Sequence, residues 1–263
     1  MSVHFTGLVG VQYDWDLIPF WIDHYSRFNF DSYTVFLQSD EPLCREWKSR
    51  RVEVFRRRGW QASFADMPSY YSGAKADLIF KFVQTLRPSD HVVVADTDEF
   101  QDMPPSTYYE TICAHDMVVG RLQDCYGERL TAARHDMPLE MQYGVQGENL
   151  DECLNHCREL PLNRTKIMAS RCSLNVAYSG SHVLIGAKPR RVHEGNTVLH
   201  YAFRACLPWK MARRRYNTPE TIRAVCRRFG LEYHPAMGLC RNLRELRTNI
   251  EGWMPGARAV ANG

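Results

Sequence analysis

The stretch His91-Val-Val-Val-Ala-Asp-Thr-Asp-Glu-Phe100 decides the fold. Its first half is the most uniformly apolar strand-like run in the chain. A strand without polar alternation is buried on both faces, as in a parallel sheet covered by helices. We therefore predict a central strand over 91–95, with Asp96 and Asp98 at its carboxyl end.

The chain before this run alternates strand-like and helix-like segments. The periodicity predicts strands over 5–11, 33–37 and 60–65, and helices over 14–25, 41–58 and 72–86, with Gly59 ending the second helix. Such alternation is typical of βαβ units with right-handed crossovers. We expect an α/β fold with a mixed, mostly parallel central sheet flanked by helices.

The second half of the chain breaks this rhythm. It predicts strands over 117–122, 167–176, 182–187 and 197–203, while 124–163 is polar and has no clear element. A further helix begins at Thr218-Pro219, with Thr as cap and Pro in the first turn. We expect one α/β domain over 1–215 and a C-terminal helical extension over 216–263 packed on it.

Composition excludes several classes of protein. With 263 residues, 44% hydrophobic and 24% charged, the chain is an ordinary globular protein, which excludes disordered and collagen-like architectures. The net charge of +3 is too small for a dedicated nucleic-acid binder. The 33 basic residues are mostly arginine, whose planar fork suits anionic ligands. A solvated surface explains most of these arginines equally well.

The cysteines and the N-terminus bear on location. Nine cysteines are an odd number, and the first residues show no basic segment followed by a long apolar one. We expect reduced thiols, a cytoplasmic protein and no membrane-spanning run. Cys153, His156 and Cys157 have ligand-like spacing but lack a second pair, which favours buried structural thiols over zinc.

Asp96 and Asp98 are the clearest candidate site. Two positions apart in an extended chain, they project from the same face, at the sheet edge where α/β proteins bind ligands. Close carboxylates repel unless a cation neutralises them, and hard oxygen ligands suit Mg2+ or Mn2+. The alternative is an acidic loop that only caps the helix after Pro104-Pro105.

These residues carry a family resemblance. The segment ending in Asp96-Thr-Asp98-Glu99-Phe100 resembles the DxDEF segment of small, family-2-like glycosyltransferases with the GT-A fold. In the same order, Trp15 to Tyr25 resembles their first helix, though without the usual Asn-Glu. The later residues Lys166, Arg171, Gly180-Ser-His182, His200-Tyr201 and Lys210 resemble the downstream succession of that group.

The resemblance implies metal-dependent transfer of a sugar from a nucleotide-diphosphate sugar, UDP- or GDP-linked, to an acceptor hydroxyl, with inversion at the sugar. It implies Mn2+ or Mg2+ on Asp96, Asp98 and His200, although His200 is equally well explained as a core histidine. The donor-binding residues that it implies are Gln12, Tyr13, Asp14, Lys75, Asp77, Asp96, Thr97, Lys166 and Lys210.

The catalytic residues are less defined. An inverting enzyme needs a carboxylate to deprotonate the acceptor, and Asp124 and Glu128 in the polar segment are the candidates. Asp136 and Glu140 remain open as alternatives. His182, after a Gly-Ser turn, is a candidate for contact with phosphate or acceptor, or an ordinary turn residue.

Other functions remain open at this point. One is a degenerate module that binds sugar nucleotides or nucleic acid through its arginine clusters. Another is a different Mg2+-dependent phosphate-transfer enzyme, but Phe100 occupies the position where the haloacid dehalogenase pattern has Thr or Val. The expected partners are a nucleotide sugar and a glycan-type acceptor, without specific nucleic acid and with peripheral membrane contact as an open alternative.

Overall fold

The computed structural model describes residues 1–39, 42–65, 72–127, 131–147, 165–174, 176–178, 183–184 and 189–203. They form two compact units. The first unit holds Met1–Val11, Leu17–Leu122 and the described part of 163–199. The second unit holds Gln12–Asp16, the described part of 123–162 and residues 200–203.

The N-terminal half folds as the alternation predicts. The strands are β1 (Val3–Gly10), β2 (Ser32–Gln38), β3 (Gln61–Phe64) and β4 (His91–Val94). The helices between them are α1 (Ile18–Ser26), α2 (Arg45–Arg56) and α3 (Ser72–Val83). The four strands are parallel in the order β3-β2-β1-β4, with Val3 opposite His91.

Beyond β4 the sheet continues with strands from the second half of the chain and with β5 (Glu99–Asp102). After β5 and α4 (Pro105–Ala114) come β6 (Met117–Tyr126), β8 (Thr165–Arg171) and β11 (Val192–Phe203). The strand order is β3-β2-β1-β4-β8-β6-β11-β5, and β8 is antiparallel to both β4 and β6. The predicted α/β class, with a mixed central sheet and flanking helices, is confirmed.

Smaller elements fill in the polar segment. In the second unit, α5 (Leu139–Gln142) precedes β7 (Val145–Gly147), which pairs antiparallel with the end of β6. A separate two-stranded sheet joins β9 (Val176–Tyr178) and β10 (Val183–Leu184). The strand predicted over 167–176 ends earlier, at Arg171, and most of the strand predicted over 182–187 lies outside the described residues. The predicted extension over 216–263 lies outside the described residues.

The core of the first unit covers both faces of β4. Val92 and Val94 pack with Ile79 and Val83 of α3 in one apolar cluster. Val93, between them, points to the opposite face and is fully buried. Burial of all three valines confirms the prediction from the uniform apolar run.

An aromatic cluster packs beside β1. The centroid of the Phe5 ring lies 5.2 Å from that of Trp21 and 4.6 Å from that of Tyr25, both on α1. It lies 5.4 Å from the ring centroid of Trp60. Rings at such separations gain from edge and offset contacts beyond the area that they bury. This packing fixes α1 against the sheet. Within the described part of the chain, no helix has both the length and the apolar character that a membrane crossing requires.

Candidate functional site

The acidic segment lies where β4 ends and β5 begins, within the first unit. The amide of Ala95 still donates to Thr6 of β1 at 3.2 Å, so the segment begins at the carboxyl end of parallel strands. Asp98 and Glu99 are 7% and 5% exposed. Buried carboxylates are unfavourable unless charged or polar partners compensate the lost hydration.

A tight turn joins the first and last acids of the segment. The Glu99 amide donates to the carbonyl oxygen of Asp96 at 3.1 Å. In return the Asp96 amide donates to Oε2 of Glu99, also at 3.1 Å. The side chain of Glu99 is therefore held against the start of its own turn.

Helix α1 holds the main chain of this turn. The indole Nε1 of Trp21 donates to the carbonyl oxygen of Asp96 at 3.0 Å. One helical turn later, the hydroxyl of Tyr25 donates to the carbonyl oxygen of Glu99 at 2.9 Å. Residues four apart lie on the same helix face, so the two rings reach the same loop.

Gly7 on β1 makes room for this arrangement. A Cβ atom at this position would lie 2.7 Å from the carbonyl oxygen of Ala95 and 2.8 Å from the Trp21 ring. Both distances are shorter than van der Waals contact. The absence of a side chain at Gly7 therefore lets Trp21 lie over β1 and reach Asp96.

Two buried lysines form ion pairs with Asp96 and Glu99. Lys75 on α3 donates to Oδ1 of Asp96. Lys166 on β8 donates to Oδ2 of Asp96 at 3.0 Å and also to Oε1 of Glu99. The lysine side chains are 3% and 2% exposed, so neither ammonium group is a surface charge.

This pairing decides the protonation of Asp96. Burial by itself would raise the pKa of Asp96, but the charges of Lys166 and Lys75 outweigh it and hold the pKa below its usual value. Asp96 is therefore a carboxylate. Counted formally with Asp98 and Glu99, the three acids and two lysines leave one net negative charge.

Asp98 and Glu99 supply the donors for a cation. Their ligand oxygens lie within 4.8 Å of each other. Carboxylate oxygens are the ligands that Mg2+ and Mn2+ prefer. The chemistry of these donors therefore fits the predicted metal. The Asp96 carboxylate has two ammonium partners, and the Glu99 carboxylate has one together with the Asp96 amide.

The structure thus brings together three residues that the sequence analysis selected. Lys75, Asp96 and Lys166 come from α3, the end of β4 and β8 and meet in one charge cluster. Thr97 is 1% exposed, and no partner for its hydroxyl is found in the described part of the chain. Asp77 is exposed on α3.

Other predicted residues lie in the second unit. Gln12, Tyr13 and Asp14 form the turn after β1, with Tyr13 and Asp14 buried. Asp124 lies on β6, where its backbone pairs with Gly147. His200 lies on β11 and is half-buried.

The remaining base candidates have different surroundings. Asp136 in the second unit is exposed and paired with Arg134 at 2.6 Å, and Glu140 is exposed on α5. Glu128, His182 and Lys210 lie outside the residues that the structure describes. The roles predicted for these residues stay predictions.

Sequence reasoning missed three contributors to the site. The sequence pattern places Trp21 and Tyr25 in the helix predicted over 14–25 but gives them no role at the acidic segment, and it does not select Glu99 as a site residue. One sequence signal could have indicated this role. Trp21 and Tyr25 are four positions apart on one helix, and each carries a polar hydrogen-bonding group on an aromatic ring. When buried, both side chains need a hydrogen-bond acceptor.

Comparisons with known proteins give weak structural likenesses. No protein-family model matches the sequence, and no curated protein matches it. The fold is similar to S. aureus TarS 1–349, with 10% identity over 95% of this chain and 78% of that chain, at a TM-score of 0.40. The same protein in complex with UDP-GlcNAc gives 9% identity over 99% and 84%, at 0.41.

A further similar structure is a Bacillus anthracis protein designated a glucose-1-phosphate thymidylyltransferase, in complex with a sucrose. It shares 11% identity over 90% of this chain and 99% of that chain, at a TM-score of 0.40. Similarities at this level are too low to assign a function. Function is therefore inferred from the residues of this chain alone.

Proposed function

We propose that this protein binds a nucleotide-diphosphate sugar together with a divalent cation at the carboxyl end of β4, and transfers the sugar to an acceptor hydroxyl. The observation that carries this proposal is the cluster of Asp96, Asp98 and Glu99 with two buried lysines.

The mixed charge of the cluster favours this class of ligand. Acids alone would suit a bare cation, and lysines alone would suit a bare anion. A cation that carries a diphosphate presents both signs of charge to the site. Because Lys75 and Lys166 are almost fully buried, their charges act on a bound phosphate with little screening by water.

Asp98 and Glu99 would hold the cation. We propose His200 as a further ligand on the strength of the family resemblance alone. When bound, Mn2+ or Mg2+ would supply positive charge that neutralises the departing diphosphate. Whether Asp96 also binds the cation stays a prediction, since its carboxylate is held by Lys75 and Lys166.

The other residues of the site act on position and water. Trp21 and Tyr25 hold the main chain of the acidic turn, so its carboxylates keep their orientation before a ligand arrives. Preorganised charges need not reorient during the reaction, which is the main source of their catalytic effect. Because Asp98 and Glu99 are almost fully buried, a cation bound to them would be shielded from bulk water.

The acceptor side rests on the resemblance. We propose Asp124 or Glu128 as the base that removes the acceptor proton, and His182 as a contact to phosphate or acceptor. Gln12, Tyr13, Asp14, Asp77, Thr97 and Lys210 are proposed donor contacts on the same grounds. Alanine substitution at each position, with separate measurement of KM for the donor and kcat, tests them.

The experiment uses purified protein, Mn2+ and a panel of UDP- and GDP-linked sugars. We expect slow hydrolysis of one donor, which releases the nucleoside diphosphate, and its loss in EDTA. Asp98→Asn should abolish the reaction. Asp102→Asn is the matched control, because Asp102 is the exposed carboxylate at the end of β5 and should leave the rate unchanged.

Two results would contradict the proposal. Equal hydrolysis by wild type and Asp98→Asn would remove the acidic turn from the reaction. Tight UDP or GDP binding without turnover of any donor, with or without glycan acceptors, would instead identify a sugar-nucleotide-binding protein without transferase activity.

A further inference from the structure

Lys166 contacts one of the two acids that would hold the proposed cation. Its ammonium group bridges two acids, Oδ2 of Asp96 at 3.0 Å and Oε1 of Glu99. Lys75 engages the other oxygen of the Asp96 carboxylate, Oδ1. The two lysines therefore carry the same charge but differ in which acids they hold.

Both oxygens of Glu99 have donors in this structure. Oε1 accepts from Lys166, and Oε2 accepts from the Asp96 amide at 3.1 Å. A cation that binds Glu99 must therefore displace one of these donors or share an oxygen with it. Lys166 is the donor that can yield, because the Asp96 amide is fixed in the turn while the lysine keeps Asp96 as a second acceptor.

Resting on the proposed function, we propose that Lys166 is a positioning residue that competes with the divalent cation for Glu99. In the cation-free site it holds Glu99 and offsets one of the three negative charges of the cluster. When a cation takes Glu99, the ammonium group keeps its contact to Asp96 and becomes available to a phosphate oxygen. The cation and the nucleoside diphosphate then strengthen each other's binding.

The electrostatics support this coupling. The three acids and two lysines leave one negative charge, so a divalent cation alone makes the cluster net positive. The change from a net negative to a net positive formal charge favours binding of an anion such as the diphosphate. Reciprocity requires that any factor by which the cation tightens nucleotide binding also applies in the reverse direction.

The first test is calorimetric titration of the protein with Mn2+ alone. Lys166→Met removes the competitor, and we expect Mn2+ to bind about tenfold more tightly than to wild type, the equivalent of one charge-assisted hydrogen bond. Lys75→Met is the matched control, because it removes the same charge and leaves the contact between Lys166 and Glu99 intact. Its gain in Mn2+ affinity should be clearly smaller.

A double-mutant cycle assigns the effect to Glu99. In a Glu99→Gln background, Lys166→Met should increase Mn2+ affinity no more than Lys75→Met does, because the contested ligand is gone and only the loss of charge remains. Lys166→Arg keeps the positive charge and should bind Mn2+ as wild type does. None of these readouts depends on catalytic turnover, and thermal melting verifies that each variant is folded.

The second test needs no substitution. In wild type, UDP should bind at least about fivefold more tightly with Mn2+ than without it, and UDP should increase Mn2+ affinity by the same factor. Mn2+ affinity that is independent of UDP would overturn the inference, as would folded Lys166→Met that binds Mn2+ no better than Lys75→Met. If wild type binds no Mn2+ even with UDP, the proposed function itself fails.

Discussion

The indole nitrogen of Trp21 lies 3.0 Å from the backbone carbonyl oxygen of Asp96, so a helix side chain holds the first acid of the site through its main chain. Tyr25 does the same for Glu99, one helical turn further on. The contact of Trp21 depends on its close approach to Gly7. The geometry of the acidic turn is therefore tied to α1, and four predictions follow from this region and its charges.

Gly7→Ala should destabilise the protein and weaken cation binding together. The new methyl group would clash with the Ala95 carbonyl and the Trp21 ring, and overpacking of this kind costs about 1–3 kcal/mol in the free energy of unfolding. Denaturant unfolding and Mn2+ titration measure the two effects.

The control for this variant is Gly59→Ala. Gly59 follows α2 with a φ of 76° and open space around it, so alanine there is strained by its backbone alone, at about 1 kcal/mol. Mn2+ affinity should stay at the wild-type value. A loss of Mn2+ affinity in Gly59→Ala but not in Gly7→Ala would show that the contact of Trp21 with Gly7 does not support the site.

Tyr25→Phe should loosen the acidic turn. It removes the hydroxyl that binds the Glu99 carbonyl and should cost about 1–2 kcal/mol in the free energy of unfolding, with a several-fold loss of Mn2+ affinity. Tyr143→Phe is the matched control, because Tyr143 is equally buried and its hydroxyl donates to the Thr131 carbonyl at 3.0 Å within the second unit. It should lose stability but keep Mn2+ affinity; equal losses of affinity in both variants would contradict the assignment.

Asp96→Asn and Asp98→Asn should separate stability from cation binding. Asn at position 96 leaves Lys75 and Lys166 without the carboxylate between them, and removal of one partner of a buried pair costs about 3–5 kcal/mol. Asp98 instead raises the pKa of Asp96 by repulsion, so Asp98→Asn should cost less stability while it abolishes Mn2+ binding. Chemical denaturation of the cation-free proteins gives the ranking, and the reverse order would refute this division of roles.

His24 should make stability fall between neutral pH and about pH 4. Burial, followed by the charge of Arg27, lowers the pKa of His24 from 6.5 to about 4. Below pH 6.5 the unfolded chain takes up a proton that the folded protein resists, so stability present at pH 7 declines as the pH falls toward 4. The loss from this residue is on the order of 3 kcal/mol.

The measurement is the free energy of unfolding at pH 7 and pH 4.5 for wild type and His24→Gln. Glutamine keeps a polar group among the rings of Tyr25, Phe28 and Phe100 but cannot titrate. The variant should show a smaller pH dependence than wild type. His135→Gln, at an exposed histidine, should retain the full dependence, and an unchanged slope in His24→Gln would exclude this histidine as the cause.

The sequence predicted the parallel half of the sheet because its signals are local. The apolar run at 91–94 placed β4 and the buried acids after it, and Gly59, with its positive φ, marks the chain just after α2. β5 was missed because Glu99–Asp102 is too short to show a period. The same holds for α5 and β7, with four and three residues.

The ion pairs of Lys75 and Lys166 with the acids could not be predicted from sequence patterns. Lys166 was selected by resemblance as a donor contact, but its partners Asp96 and Glu99 are 70 and 67 positions away. Only the antiparallel pairing of β8 with β4 brings them together. The periodicity of a segment does not indicate which strand lies beside β4. The contacts of Lys166 with Asp96 and Glu99 could therefore not be predicted from the sequence pattern.

Trp21 and Tyr25 of α1 donate hydrogen bonds to backbone carbonyl oxygens of the acidic turn, and every amino acid has such an oxygen. These hydrogen bonds therefore do not depend on which side chains the acidic turn carries. A designer can exchange Asp98, for example for a softer ligand such as cysteine, and expect the hydrogen bonds from α1 to the main chain of the turn to persist. Asp96 and Glu99 are less replaceable, because their side chains pair with the buried lysines.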